Sequence, residues 1–137
     1  MYLALQGNIG LGKAIEYFTS QAIPVSIPLN DTQKYDLVVD IDSKLFRVSI
    51  KTSNGRNKNG TYNVTLKNSG GSSGKSTIRP FDNKTCDYLF IYTGDDKTYL
   101  IPSEKVTATS SIVVGNKYTE YEVRSNKLSE FIHNMAG

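Results

Sequence analysis

The alternation of apolar and polar residues is strongest in residues 35–52, where the sequence reads YDLVVDIDSKLFRVSIKT. Two alternating runs meet at Asp42 and Ser43, which suit a two-residue turn, and the pattern predicts a β-hairpin. With this turn, Ile41 pairs with Lys44, and the rest of the register follows from that pair. The segment therefore predicts two antiparallel strands with a defined pairing.

This register gives the hairpin two chemically different faces, because side chains alternate along a strand. One face is apolar and is expected to be core: Leu37, Val39, Ile41, Phe46, Val48 and Ile50. The other face is polar: Asp36, Asp40, Arg47, Ser49 and Lys51. Asp36 falls opposite Ser49, and Lys51 lies one diagonal step away. The pattern thus predicts an acid and a base close together on one polar face.

Apolar residues recur at helical spacing near both ends of the chain. The first segment predicts a helix over residues 8–22, with Asn8 as its N-cap and Pro24 beyond its end. The second segment predicts a short closing helix over residues 126–135.

Short apolar runs between the helices predict further strands. Their positions are residues 25–27, 61–67, 87–93 and 98–102. Residues 111–114 and 117–123 are expected to pair with each other as a hairpin around Gly115 and Asn116.

A segment rich in glycine, serine and asparagine, residues 68–77, is predicted to be a mobile loop. It belongs to a flexible basic loop expected around residues 53–79. A chain of 137 residues is large enough to build its own core, so we expect a single α/β domain over residues 1–137.

The single cysteine, Cys86, and the single histidine, His133, restrict the chemistry of the chain. They cannot form an internal disulfide or a Cys/His zinc site, and a lone histidine in a terminal helix argues against a Ser-His-Asp triad. No apolar run is long enough to span a membrane, and the first residues do not form a signal peptide. We therefore expect a cytoplasmic protein without a membrane partner.

Positive charge is concentrated in the middle of the chain. Residues 44–84 contain nine basic residues and one acid, Asp82, whereas the other residues include seven basic and twelve acidic ones. This asymmetry, within a net charge of +3, predicts an anionic partner for the middle segment. A solvated basic face is the alternative.

A carboxylate and a lysine on one face suit the hydrolysis of a phosphodiester. Asp36 can bind Mg²⁺, which neutralises the phosphate, and Lys51 can orient or deprotonate the attacking water. The basic segment would then hold a nucleic-acid backbone. In a purely structural interpretation, Lys51 and Asp36 form only an electrostatic contact across the strands.

The spacing D-x(12)-S-x-K, from Asp36 to Lys51, resembles the PD-(D/E)xK nuclease signature. The chain also resembles the restriction-endonuclease-like homing endonucleases of group I introns, in five segments: GNIGLGKAIEYF, VSIPLNDTQKYDLVVD, RVSIKTS, NSGGSSGKSTIRPFDNKTCDYLFIYT and TYLIPSEKV. The resemblance implies a restriction-endonuclease-like α/β core. Such a core has an N-terminal helix, a central mixed sheet that contains the hairpin of residues 35–51, and a C-terminal helix.

Three positions depart from the pattern of this family. Tyr35 stands where the family name has proline, and Ser49 stands where an acid is usual. In the first helix, Leu11 stands where relatives often have an acid, and Glu16 is the only acid of that helix. A serine hydroxyl is a weaker metal ligand than a carboxylate, so a DNA-binding module that has lost cleavage stays open as an alternative.

The resemblance implies a Mg²⁺-dependent, site-specific endonuclease of the intron-homing type that acts on double-stranded DNA. Asp36 would hold the metal ion, Lys51 would assist the attacking water, and Ser49 and Glu16 are secondary candidates for the catalytic site. A double-strand cut needs two active sites, so we expect a homo-oligomer with two-fold symmetry, a dimer or a tetramer. A junction resolvase is a further alternative.

The candidate DNA contacts are Lys34, Arg47, Arg56, Lys58, Lys75 and Arg79.

Overall fold

The computed structural model of the protein describes residues 2–30, 32–70 and 77–136. Helix α1 (Tyr2–Ser20) comes first and helix α2 (Leu128–Ala136) comes last. The described residues between them form strands β1 (Val25–Ser26), β2 (Leu37–Ile41), β3 (Lys44–Ser53), β4 (Gly55–Arg56), β5 (Tyr62–Thr65), β6 (Asn68–Gly70), β7 (Thr77–Arg79), β8 (Tyr88–Thr93), β9 (Thr98–Pro102), β10 (Ser111–Val114) and β11 (Glu122–Val123). None of the helices described is long and apolar enough to cross a membrane.

The strands form a central mixed sheet and two smaller sheets. The central sheet has the order β1-β2-β3-β8-β9-β11, in which β3 runs parallel to β8 and the other neighbours are antiparallel. A three-stranded antiparallel sheet has the order β10-β5-β4, and β6 and β7 form a hairpin. The predicted α/β fold is confirmed, with its N-terminal helix, its mixed sheet around the hairpin and its short C-terminal helix.

Helix α1 packs against one face of the central sheet, and the three-stranded sheet covers the other face. On the helix side, Ala14 and Phe18 cluster with buried sheet residues, Phe90 among them. On the opposite side, Leu89 and Ile91 cluster with apolar residues of β5 and β10. Strand β8 is therefore buried on both faces, as its nearly continuous apolar sequence favours.

The second core covers part of the polar face of the hairpin. Ser49 is only 4% exposed and Lys51 is half-buried. The reason is their position in the parallel ladder, where Ser49 lies beside Leu89 and Lys51 lies beside Ile91. Those two apolar residues belong to the core under the three-stranded sheet, and only the end of the polar face, at Asp36, stays exposed.

The first helix is longer at its start than the sequence predicts. It begins at Tyr2, so Asn8 lies inside the helix and is not its N-cap. Glycines in this part of the helix lower its intrinsic propensity. The helix contacts β3 at Thr52, whose hydroxyl accepts a hydrogen bond from the Gln6 side chain at 3.2 Å and against which Gly10 is buried. The helix ends at Ser20, whose hydroxyl accepts a hydrogen bond from the Asn126 N–H at 2.9 Å and whose carbonyl accepts one from the Asn126 side chain at 3.1 Å.

The hairpin predicted over residues 111–123 is wrong. β10 pairs with β5, and β11 pairs with β9, so the two segments belong to different sheets. A short 3-10 helix, Thr119–Tyr121, redirects the chain between them. Alternation alone could not show which distant strand each segment would join.

The basic segment of residues 53–79 also differs from the flexible loop that the sequence predicts. It contains strands β4 to β7. The ends of the predicted mobile loop, Asn68–Gly70 and Thr77–Arg79, pair with each other. Residues 71–76 lie outside the described residues.

The close approach of α1 to β3 predicts opposite effects for two glycines of the helix. A Cβ at Gly10 would collide with Thr52 and crowd Ile50, whereas a Cβ at Gly12 would meet nothing within 4 Å. Gly12→Ala should therefore raise the free energy of unfolding by about 1 kcal/mol through helix propensity. Gly10→Ala should lower it by roughly 1–2 kcal/mol, because overpacking outweighs the same gain. Urea denaturation followed by circular dichroism measures both, and equal stability of the two variants would contradict the packing.

Candidate active site

The turn of the hairpin has the backbone conformation that its sequence predicts. Asp42 and Ser43 have φ angles of 52° and 67°, which is typical of a type I′ two-residue turn. Ile41 pairs with Lys44, so the predicted register is confirmed.

Asp36 lies one residue before β2, where the ladder between β2 and β3 ends. Its N–H donates to the Val48 carbonyl at 2.8 Å, and its carboxylate oxygen Oδ2 accepts a hydrogen bond from the Ile50 N–H at 2.7 Å. The side chain thus takes the place of a backbone partner for Ile50, and this contact orients the carboxylate. Because Asp36 remains exposed, its second oxygen, Oδ1, can meet solvent or a ligand.

A cavity of about 390 Å³ borders the Asp36 carboxylate, between α1 and the chain that leads into β2. Asn8 and Leu11 line its helix side. This wall therefore contributes an amide and an apolar side chain but no carboxylate. The full lining is Gly7, Asn8, Leu11, Ile27, Pro28, Leu29, Asn30, Gln33, Tyr35, Asp36, Ile50 and Thr52.

Glu16 does not line this cavity. Its side chain is exposed, and its charge acts on Lys13 of the same helix. Eight residues of helix, or about 12 Å along the axis, separate it from Asn8 at the cavity wall. The structure therefore does not bring this secondary candidate to Asp36.

Lys51 extends from β3 toward the hairpin of β6 and β7. Its Nζ donates a hydrogen bond to Asn68 Oδ1 at 2.6 Å. Burial lowers the pKa of Lys51, and the negative charge of Asp36 partly offsets that effect. Lys51 consequently releases its proton more readily than an exposed lysine does, and it lies within electrostatic reach of Asp36.

Ser49 shares its face of β3 with Lys51 but is almost fully buried. Its hydroxyl can donate and accept hydrogen bonds but carries no charge. Among the candidate site residues that the structure brings together, Asp36 is thus the one carboxylate.

Arg47 takes part in a structural contact instead of standing open to a ligand. Its N–H donates to Asp87 Oδ2 at 2.7 Å, its Nε lies 3.3 Å from the same oxygen, and its guanidinium also donates to the Lys84 carbonyl at 3.2 Å. This contact engages Nε and Nη2 of the guanidinium.

The remaining candidate DNA contacts lie at the surface where they are described. Lys34 precedes Asp36 in the chain leading into β2, Arg56 lies on β4, and Lys58 lies in the turn after it. Arg79 lies on β7 opposite Asn68. All four side chains are exposed, and Lys75 lies outside the described residues.

Sequence reasoning missed Asn68, which it assigned to a mobile loop. The hydrogen bond to Lys51 spans 17 residues of chain, and neither periodicity nor composition carries information about such a contact. Asn8 was also misread, because it suggested a helix start and instead lines the cavity.

The donor groups at Asp36 fit a divalent ion only in part. Across residues 2–30, 32–70 and 77–136, no three His, Cys, Asp or Glu residues are grouped so that they could hold an ion by themselves. Mg²⁺, however, commonly uses one or two carboxylates, water and substrate phosphates. The site therefore fits an ion that Asp36 Oδ1 shares with an anionic substrate.

The site thus places an exposed carboxylate and a desolvated lysine on one mixed sheet. Residues 2–132 match the PD-(D/E)XK endonuclease family, and the chain belongs to that family. Its fold is similar to that of a bacterial homing endonuclease, I-Ssp6803I, with a TM-score of 0.70 and 23% sequence identity over 96% of this chain and 91% of that chain. No curated protein matches the chain. The resemblance seen in the sequence is confirmed at the level of the family and the fold.

The ion pair of Arg47 and Asp87 predicts a pH-dependent loss of stability. Burial opposes ionisation of Asp87, but hydrogen bonds from Arg47 and its charge outweigh burial and lower the pKa of Asp87. A lowered carboxyl pKa adds stability above the ordinary value of 3.8, and that stability is lost as pH falls through the folded-state pKa. Asp87→Ala should therefore cost about 1 kcal/mol at neutral pH, because water screens a pair whose side chains are both partly exposed, with a smaller cost below pH ~4.

Urea denaturation at several pH values measures this cost, and Glu104→Gln, a change at an exposed acid, serves as the control. A cost for Asp87→Ala that stays constant into acid would contradict an ionic role for Asp87.

The coupling between Asp36 and Lys51 can be measured without any assay of activity. Asp36→Asn removes the negative charge that raises the pKa of Lys51, so the pKa of Lys51 should fall further in this variant. NMR titration of the lysine side chains follows it, with the Lys51 signal assigned through Lys51→Arg. Asp40→Asn, on the same hairpin, is the control. A Lys51 pKa that rises or stays constant in Asp36→Asn would show that the two groups are not coupled.

Proposed function

We propose that the protein is a Mg²⁺-dependent endonuclease that hydrolyses phosphodiester bonds in double-stranded DNA at specific sites, as in intron homing. The main support is the arrangement around Ile50. Asp36 is held on the Ile50 N–H, and Lys51, the next residue, has a pKa lowered by burial. A carboxylate and a lysine whose pKa is lowered by burial suit this hydrolysis.

The two oxygens of Asp36 would have separate roles. Oδ2 stays on the Ile50 N–H and sets the direction of the carboxylate, while Oδ1 would hold a divalent ion at the cavity. When bound, such an ion supplies charge neutralisation at the scissile phosphate. Nζ of Lys51 would orient the attacking water or accept its proton.

The exposed basic side chains support DNA as the polymer that is cut. Arg56, Lys58 and Arg79 are exposed on the segment that follows β3, and Lys34 lies beside cavity residues Gln33 and Tyr35. Cations at such positions bind the phosphate backbone, and arginine can also distinguish guanine in the major groove. Site specificity would come from the arginines of this segment.

Cutting both strands at one site requires two copies of the site. The chain supplies one Asp36 and one Lys51, so a homo-oligomer with two-fold symmetry, a dimer or a tetramer, is part of the proposal. The fold similarity to a homing endonuclease supports the homing role within this proposal.

A second candidate function is DNA binding without cleavage. Two observations favour it: Ser49 is buried and uncharged, and Leu11 gives the cavity an apolar wall where relatives often have an acid. Both features reduce the number of carboxylates available to an ion.

Cleavage of DNA distinguishes the two functions. The protein should cut plasmid libraries of host-genome fragments with Mg²⁺ and not with EDTA. Asp36→Asn and Lys51→Met should each lower the rate by roughly 100-fold or more, because each removes a group that acts in the chemical step. Binding of the same DNA, measured with Ca²⁺ by gel shift, should be retained in both variants.

Asp40→Asn and Lys44→Met are matched controls, since they change an acid and a lysine of the same hairpin outside the site. Binding without cleavage in Mg²⁺ or Mn²⁺ would establish the second candidate. Cleavage that survives both site substitutions would reject the assigned residues.

A further inference from the structure

The hydrogen bond between Lys51 and Asn68 is the one described contact that fixes the end of this lysine. A lysine side chain has four rotatable carbons and is otherwise free to adopt many conformations. The 2.6 Å contact of its Nζ with Asn68 Oδ1 selects one of them. Because Asn68 is uncharged, it accepts a hydrogen bond from either the protonated or the neutral amine.

Asn68 belongs to a segment rich in glycine and serine, but residues on both sides of its hairpin are buried and hydrogen-bonded to the rest of the chain. On one side of it, Leu66 is fully buried and its N–H donates to the Ser110 carbonyl at 2.8 Å. On the other leg of the β6–β7 hairpin, Phe81 is 4% exposed and its N–H donates to the Thr109 carbonyl at 2.8 Å. Both legs of the hairpin are thus anchored to the same stretch of chain.

The hairpin also carries exposed positive charge next to Asn68. Arg79 is the register partner of Asn68 on β7, and Lys67 precedes Asn68 in the chain. Both of these side chains are exposed. A phosphate held by them would bind the same pair of strands that holds the amine of Lys51.

We propose that Asn68 is a positioning residue, whose Oδ1 holds Lys51 Nζ in its reactive orientation and links it to the hairpin that contacts DNA. The proposal rests on the proposed endonuclease function. It assigns no proton transfer to Asn68 itself, so its effect is expected in the chemical step and not in DNA affinity.

Asn68→Leu tests this role, because leucine has a similar size and no acceptor. In a cleavage assay, kcat should fall by roughly 10–100-fold, the range typical of residues that orient a functional group, with KM and the Kd for DNA unchanged. Asn68→Gln keeps a neutral amide acceptor and should retain more of the wild-type kcat than Asn68→Leu does. Thr65→Leu, an exposed polar residue replaced in the same way on β5, should cleave as the wild type does.

A second measurement separates loss of orientation from loss of folding. NMR relaxation of the Lys51 side-chain carbons should show greater mobility in Asn68→Leu than in wild type, while the melting temperature stays close to that of Thr65→Leu. Where Asn68→Leu does not fold, Asn68→Ala takes its place in both measurements.

Three results would overturn the proposal. The first is wild-type kcat in Asn68→Leu. The second is weaker DNA binding with unchanged kcat, which would make Asn68 a DNA contact. The third is unchanged mobility of Lys51. A wild-type protein that binds DNA and does not cut would instead reject the endonuclease function, and the proposal with it, whereas cutting by wild type and Asn68→Leu alike rejects the proposal alone.

Discussion

The fold and the candidate site both depend on the pairing of β3 with its two neighbours. β3 runs antiparallel to β2 on one side and parallel to β8 on the other. The antiparallel ladder stops at Leu37, but β3 continues along β8 as far as Ser53. The N–H groups of β3 beyond that point face no strand partner on the β2 side, and the Asp36 carboxylate takes the one at Ile50. The site therefore forms where one ladder ends and the other continues.

Covering β3 on both faces takes Lys51 partly out of water, and this desolvation lowers the pKa of Lys51. Taking an unpaired ammonium out of water costs several kcal/mol, whereas a hydrogen bond to a charged group returns about 1.5–3 kcal/mol. The contact of Lys51 with Asn68 therefore offsets only part of its desolvation, and the nearby charge of Asp36 offsets another part. The pKa of Lys51 is lowered overall, so desolvation outweighs these compensating interactions. The same packing that completes the second core thus favours the neutral amine of Lys51, the form that can accept a proton.

Local patterns in the sequence predicted the hairpin well, and distant contacts account for what they missed. Alternation fixed the faces of β2 and β3, and the turn at Asp42 and Ser43 fixed their register, because both signals come from adjacent residues. The burial of Ser49 and Lys51 depends on a sheet built from later segments, so the sequence of the hairpin could not reveal it. The same holds for Arg47, whose charge suggested DNA contact and whose partner, Asp87, lies 40 residues away. Helix α1 extends past its apparent N-cap for a related reason, since Gln6 and Gly10 contact Thr52, which lies 46 residues beyond Gln6 along the chain.

Leu11 and Ser49 carry no carboxylate, and this changes how metal and DNA binding relate under the proposed function. Among the described residues at the cavity, Asp36 Oδ1 would then supply the one charged ligand, and Mg²⁺ loses its hydration water reluctantly. A single carboxylate of this kind holds the ion weakly until phosphate oxygens complete the coordination. Ion and DNA would then bind cooperatively, and reciprocity requires each to strengthen the other's binding by the same factor. Under the proposed function, a site with fewer carboxylates would differ in kind from a complete one, because its ion would bind together with the DNA that is to be cut.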